Sequence, residues 1–538
     1  MSLYGDASIL MFPSGYKEDK LYSLKPTDGT GDLSFARSSS ATRVNEQGLI
    51  EEYLLGSELI TNGDFATNLN FWSTSSWWVW NALGAYHPSA TTHKPLYQQC
   101  AVIGKQYYIT FDINIVSGKA KFSLGSSTGS TTQVIANNLQ TGSYSYLVTA
   151  AAEYIVFNRQ QGFNAEFYVD NVSVKEAQTN NVPRIDYTGG GCGKLLIEPQ
   201  RTNYFPESNN VYPTASSKTA NATSSPEGLE NASLYVENTA TTSHGAIKTA
   251  IFPTLGNTTY TFSVFAKAKE RKFLKMSLYA NSAITNAQGF DLENGTVTDS
   301  DSSIEDFGNG WYKCTTTKSI NNSTGGYNFA AIYTGTDATT YFYQGDGTSG
   351  FYLYGFQLEQ GDFASSYIPT SGTTVTRTQD TSLTTSSNIA AAINSEEGVQ
   401  FIDFDRFDID GQVNSFTLAR SFQPSNNYII IAYRTDRILG YIRSNGVYQT
   451  TMVAYGTWTM PRIKVAFKWK VNDFALWING VEVKTDTSGT TFAANSLDTI
   501  IFSGATNQVN QQFNARINAI AVYDTALSDE DLTTLTTL

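Results

Sequence analysis

Phe351-Tyr352-Leu353-Tyr354-Gly355-Phe356-Gln357-Leu358 and Phe167-Tyr168-Val169-Asp170-Asn171-Val172-Ser173-Val174 are the two stretches on which the fold turns. Both are dense in aromatic and branched side chains, and the second alternates large apolar with polar residues. A period of two puts successive side chains on opposite faces of an extended strand, whereas a helix would need apolar residues three and four apart. Phe111-Asp112-Ile113-Asn114-Ile115 repeats the pattern. Short strands separated by Gly, Asn and Ser turns predict sandwiches or jelly rolls. One helix is expected, at the C-terminus, where Ser528 precedes Asp529-Glu530-Asp531-Leu532 as a cap with acids in the first turn.

Composition agrees. Of 538 residues, 15% are charged and 13% aromatic, so the chain can bury cores and is unlike a disordered segment. The length suggests three or four domains. Net charge is −13, and no Lys/Arg run is dense enough to follow a phosphate backbone, which argues against nucleic acid and anionic lipid as partners. Cys100, Cys192 and Cys314 are odd in number and far apart, and read as small buried residues rather than a disulfide or zinc framework. The first apolar run, Ile9-Leu10-Met11-Phe12, is too short for a secretory signal core, and no stretch reaches the length of a bilayer crossing.

Composition shifts divide the chain into an N-terminal anchoring segment (1–55), a first jelly roll (56–178), a connector pairing with the N-terminal segment (179–202), a second jelly-roll sandwich (203–370), a linker (371–390) and a third sandwich (391–538). The first two sandwiches share a plan. Each has a mid-domain strand after Gly (Gly104 to Phe111; Gly256 to Phe262) and closes on one of the strands quoted above. Gly48-Leu49-Ile50-Glu51 and Leu195-Leu196-Ile197-Glu198 resemble each other, which suggests paired strands with the first sandwich inserted between them.

Several phrases resemble known families. Gly63-Asp64-Phe65 with Trp72, and Tyr168-Val169-Asp170-Asn171-Val172, resemble the two ends of jelly-roll carbohydrate-binding modules. Ile463 to Trp469, Phe474 to Val483 with its Asn479-Gly480 hairpin turn, and the Tyr523-Asp524 ending resemble concanavalin A-like or laminin G-like sandwiches. Phe35-Ala36-Arg37-Ser38-Ser39-Ser40-Ala41-Thr42-Arg43, Pro183-Arg184-Ile185-Asp186-Tyr187, Glu198-Pro199-Gln200-Arg201-Thr202-Asn203, and the closure from Tyr354 to Thr370 resemble bacteriophage tail or head fibre proteins. That resemblance implies a homotrimeric structural protein on the virion surface, held to other virion proteins by its N-terminal segment. It would serve host attachment or capsid decoration.

Sugars bind to aromatic platforms flanked by hydrogen-bonding groups. Trp72, Trp77, Trp78, Trp80 and Tyr86 form the densest aromatic cluster and are the candidate glycan-binding residues. Adjacent Trp77 and Trp78 must face opposite ways on a strand, and Trp78 and Trp80 the same way. The bland alternative is that these rings fill the first core, as Trp311, Trp458, Trp469 and Trp477 are expected to fill theirs. Asp403 and Asp405 would share a strand face at about 7 Å, compatible with paired acid and base work. A salt-bridged strand with Arg406 is the blander reading, so no catalytic residue is assigned and no enzyme is expected. His87, His93 and His244 are too scattered for a triad or zinc set, and His87 and His93 read as surface residues. No cofactor is expected; Asp299-Ser300-Asp301 is the nearest approach to a calcium loop and reads as a solvated turn. The expected function is adhesion to host or environmental polysaccharide. The alternatives are a decoration protein that binds no sugar and a secreted glycan-active protein.

Overall fold

The computed structural model describes every residue except 1–2, 18, 53, 75, 91, 250–252, 254–255, 281–282, 285–287, 299–301, 323–327, 386–388, 408–413, 420–425, 457–460 and 503–511. The chain is all-β, with antiparallel sheets throughout and a single α-helix among the described residues, Asp529–Thr536. Ser528 caps that helix by accepting from the Asp531 amide, as its sequence predicted.

Two compact units emerge, Tyr53–Thr179 and the remainder, Met1–Glu52 with Asn180–Leu538. The smaller unit is a two-sheet sandwich. One sheet runs in the order Gly142–Thr149, Gln106–Ser117, Ala165–Gln178, Gly84–Ala90, Val79–Asn81, with Leu54–Glu58 also on Ala165–Gln178. The other runs Thr131–Leu139, Ala120–Gly125, Tyr154–Arg159, Leu96–Gln99, Ser73–Thr74. Phe111, Phe122, Phe157 and Phe167 fill the space between them. In the strand Ala165–Gln178, Asn171 takes a left-handed conformation (φ 50°), where its short side chain is tolerated. The resulting bulge lets Val169 and Val172, three residues apart, both face the core.

The larger unit holds two sandwiches. In the first of these the central pairing joins Gly256–Ala268 to Gly350–Gln360, matching the pairing of Gln106–Ser117 with Ala165–Gln178 in the smaller unit. In both, therefore, the strand after the mid-domain Gly lies beside the closing strand. Trp311 and Cys314 are fully buried there. The second contains the C-terminal residues, with Trp469 and Trp477 buried; Trp458 lies outside the described residues. Asn479 (φ 49°) and Gly480 (φ 85°) make the tight turn between Phe474–Ile478 and Val481–Asp486, both in the left-handed region that a primed turn requires.

Residues 1–55 are not a separate anchoring segment. Ile9–Met11 pairs with Ala515–Tyr523, and Leu33–Ala36 pairs with Thr381–Thr384, so both ends of the chain build the same sandwich. Ile9, Met11, Leu33 and Phe35 lie in its core beside Trp469. The connector behaves alike: Lys194–Ile197 pairs with Arg184–Asp186 and with Ala515–Tyr523. Ile50–Glu51 pairs instead with Arg43–Val44, so the two similar phrases flank the inserted unit without pairing to each other. Residues 371–390 carry strands Val375–Arg377 and Thr381–Thr384 and bury Arg377 and Asp380, which a linker would leave in water. Cys100 is half-buried and Cys192 exposed, so only Cys314 occupies the interior position predicted for all three.

The polar phrases of the sequence meet in one buried ionic cluster. Arg184 donates to Glu198 and to Asp380, each at 2.6 Å; Arg37 donates to Asp380 at 2.9 Å; Arg377 donates to Glu198 at 2.6 Å. Ser366 accepts from Arg184 and Arg377 and donates to Glu198 at 2.7 Å. All five charged side chains are at most 2% exposed. Burial alone would raise the Glu198 and Asp380 carboxyls, but the surrounding guanidiniums hold both below the usual carboxylate range. Burial lowers the Arg37 guanidinium to about 10 against the pull of Asp380.

Removing one partner would strand the others without compensation. Glu198→Gln or Asp380→Asn should therefore destabilise the larger unit by about 3–5 kcal/mol. Because both carboxyls are depressed in the folded state, their stabilisation is complete above the ordinary unfolded values near 4 and lost in stronger acid. Calorimetry of the full chain checks this: the melt of residues 53–179 should not move, and an unchanged melt of the larger unit would refute the cluster's role.

Candidate functional site

The outer face of the six-stranded sheet in residues 53–179 carries the arrangement best suited to a ligand. Register dictates its content, because directly paired residues share a face. Val79 pairs with Tyr86, Tyr86 with Tyr168, and Tyr168 with Asn114, which gives one transverse row. In the next row Asp170 pairs with Asp112. Their neighbours along each strand, Ala85, Phe167, Val169 and Ile113, are buried, so this row faces away from the core.

Tyr86 and Tyr168 are half-buried and stack at 4.7 Å between centroids, with their planes 27° apart. The Tyr86 hydroxyl donates to Glu166 at 2.5 Å, and that bond pushes its pKa up to about 12. Asn171 donates from Nδ2 to Asp112 at 2.7 Å. Burial, with Asp112 and Asp64 nearby, raises the Asp170 carboxyl above its usual range, although the Asn171 amide works against it. The face thus sets a paired aromatic platform beside acceptor oxygens and the exposed amide of Asn114.

The five residues singled out by sequence part company. Trp72 and Trp78 are core residues, 7% and 5% exposed, with their indole N–H groups donated to Asn62 O and Lys94 O. Trp77 lies opposite Trp78, as adjacency demands, and is partly exposed; it donates to Pro88 O and has the Lys94 ammonium 5.4 Å from its ring. Trp80 pairs with buried Ala85 and so turns inward like Trp78, but on an edge strand it remains 39% exposed, donating to Phe65 O. Tyr86 is the one of the five whose register places it on the outer face. Tyr168, Glu166, Asp170, Asp112 and Asn114 were missed as a set. Period-two alternation in 166–170 and 111–115 points all of them away from the core, but only pairing brings the strands together.

His87 is a core residue rather than a surface one. It follows Ala85 on the inward side of its strand and stacks on Phe167 at 4.8 Å with Trp78 edge-on at 5.0 Å. Its Nδ1 donates to Ala165 O, while Nε2 has no partner. His93 is exposed and His244 buried.

Asp403 and Asp405 do share a face, bridged by Asn518, which donates to both at 3.3 and 3.2 Å. Asp403 accepts two bonds from Arg462, and Asp405 pairs with Lys194 at 2.5 Å. Asp299-Ser300-Asp301 lies outside the described residues, and among the described residues no group of three His, Cys, Asp or Glu side chains could hold a metal.

No family model and no curated protein matches the chain. Among solved structures it is similar to the CBM40 module of the Ruminococcus gnavus IT-sialidase, with 18% identity over 27% of this chain and 86% of that one and a TM-score of 0.24. It is also similar to the CBM22 tandem of Paenibacillus barcinonensis Xyn10C (12%; 57% and 98%; 0.21) and to domains LG4-5 of the mouse laminin alpha1 chain (9%; 54% and 90%; 0.15).

Burial pushes the His87 pKa down to about 4, well below an unfolded histidine near 6.5. The neutral ring thus stabilises residues 53–179 fully above about pH 6.5, and that contribution, about 3 kcal/mol, is lost as pH falls through 4. Tryptophan fluorescence melts should show the slope in wild type and lose it in His87→Phe. Parallel slopes in the two proteins would contradict the assignment.

Proposed function

We propose that this chain is a non-catalytic adhesion protein that holds glycans on the outer sheet face of residues 53–179. The observation that carries this reading is the Val79–Tyr86–Tyr168–Asn114 row with its flanking carboxylates. Stacked tyrosines suit the C–H face of a pyranose, and Asp112, Asp170 and Asn114 can take and give hydrogen bonds to hydroxyls. Three carboxylates, Glu166, Asp170 and Asp112, favour neutral or amino sugars over acidic ones.

An open sheet face binds weakly, and several copies on one particle would convert weak sites into avidity. A trimeric fibre or decoration subunit on a virion surface fits that need. Support for this placement comes from sequence: the fibre-like phrases around Arg37, Arg184, Glu198 and Ser366 supply three of the five charges of the buried ionic cluster and the hydroxyl that joins them, which gives those phrases a structural purpose. The non-catalytic reading is supported by Asp403 and Asp405, whose oxygens are engaged by Arg462, Lys194 and Asn518.

A glycan array probed with the full chain should show binding to neutral or amino-sugar polymers. Tyr168→Ala should weaken it about tenfold, which is what one stacked aromatic ring contributes beyond its buried area. Failure to bind any surface polysaccharide at high protein concentration would favour a purely structural decoration subunit. Shortening of a polymer during incubation, abolished by Asp403→Asn, would make the chain a hydrolase.

A further inference from the structure

A cavity in the larger unit has no part in the face described above. It lies between strands of the first sandwich of that unit, which contribute Phe265, Glu305, Phe307 and Lys313, and the segments around Val44 and Asp186. This inner part is narrow, with a free volume of about 30 Å³, room for roughly two water-sized groups. A second, wider depression of about 460 Å³ shares Val44, Thr188 and Phe307 with it and is lined by the Tyr187–Gly190 turn and by Gly308 and Asn309. The two adjoin through these shared residues and together make up the chamber, a narrow end beside a wider mouth within the size range that small ligands occupy.

The chemistry of the lining is unusual. Lys313 is 8% exposed, and its ammonium makes one hydrogen bond, to Ser365 O at 2.7 Å. An ammonium carries three donors, and a buried charge with too few partners is costly; Glu305, Glu359 and Glu198 act on it through space. Burial accordingly lowers its pKa. Glu305 stands directly across the strand pair from Lys313, yet its carboxylate accepts no hydrogen bond and makes no ion pair among the described residues. Arg516 lines the cavity, donates from Nε to Asp186 at 3.0 Å and sets its guanidinium 5.7 Å from the Phe407 ring. On the apolar side Phe307 packs edge-on against Phe265 at 4.9 Å.

These walls balance in charge. Arg43 is answered by Glu51 at 2.6 Å and Arg516 by Asp186, so Lys313 and Glu305 remain as an unjoined donor and acceptor. An anion would gain Lys313 but meet Glu305; a cation would meet the reverse. A hydroxyl donates and accepts at once, and two neighbouring hydroxyls span what one cannot. We propose that this chamber is a second binding site, which takes a single neutral sugar residue with its ring in the mouth against Phe307 and two vicinal hydroxyls in the narrow end between Glu305 and Lys313. The site stands on observations in the larger unit alone, and it survives or fails separately from the sheet face of residues 53–179.

Saturation-transfer NMR on the full chain, titrated with the methyl glycosides of glucose, galactose, mannose and N-acetylglucosamine, tests it. At least one should saturate at millimolar concentration. Glu305→Gln should weaken that binding about tenfold, the scale of one hydrogen bond to a charged group, with the ligand-free melt unchanged. The titrations are run in the Tyr168→Ala background, where the outer sheet face is disabled, so that saturation and its weakening in Glu305→Gln report this site alone. A wild-type crystal soaked in the best glycoside should show the ring against Phe307. The proposal is overturned if no glycoside saturates, if Glu305→Gln binds like wild type, if methyl glucuronide outcompetes the neutral sugars, or if the soaked chamber holds only water.

Discussion

The contact of Arg184 with Glu198 and Asp380 is the constraint on which the larger unit depends. Five charged side chains from three separated stretches are taken out of water together, and each is tolerable only because the others are in place. The cluster therefore acts as a register check. Arg37 belongs to the N-terminal residues, Arg184 and Glu198 to the return from the inserted unit, and Arg377 and Asp380 to the stretch between two sandwiches. A misplaced strand in any of them would leave a buried ion unpaired. Hydrophobic contacts alone discriminate less sharply, since one aliphatic side chain substitutes for another with small loss.

This arrangement also explains how a unit of about 125 residues can be inserted without disturbing its host. The chain leaves after Ile50–Glu51 and returns at Arg184–Asp186, close to the segment it left: the Tyr187 amide donates to Val44 O and the Val44 amide to Asp186. Closing the insertion costs the host little, because its ends are held by the host's own hydrogen bonds. The inserted sandwich needs nothing from the cluster; its core of phenylalanines is its own.

The two ligand readings use different physics. The outer sheet face offers stacked rings and carboxylates on an open surface, where solvent competes for every hydrogen bond. The chamber beside Lys313 offers fewer groups in a drier setting, where each counts for more.

Much of this was legible in the sequence. Period-two alternation named the strands, Asn479-Gly480 named a turn, Ser528 named a helix start, and the composition excluded a helical fold. Alternation even sorted Tyr168 and Asp170 from Phe167 and Val169. It could not say that Tyr86 would lie beside Tyr168, because pairing between strands about 80 residues apart is set by how two whole sheets close over a core. The tryptophans misled for a related reason: their side chains are large enough to read either as platform or as filling, and only the packing around Phe65 and Phe167 decides. His87 looked like a loop residue beside Pro88 and turned out to be stacked in the core, since a proline at an irregular point of a strand does not end it. What the sequence determined by itself was local, a matter of backbone preference and side-chain period. The tertiary structure alone decided which faces met and which charges were buried together, because both depend on contacts between residues hundreds of positions apart.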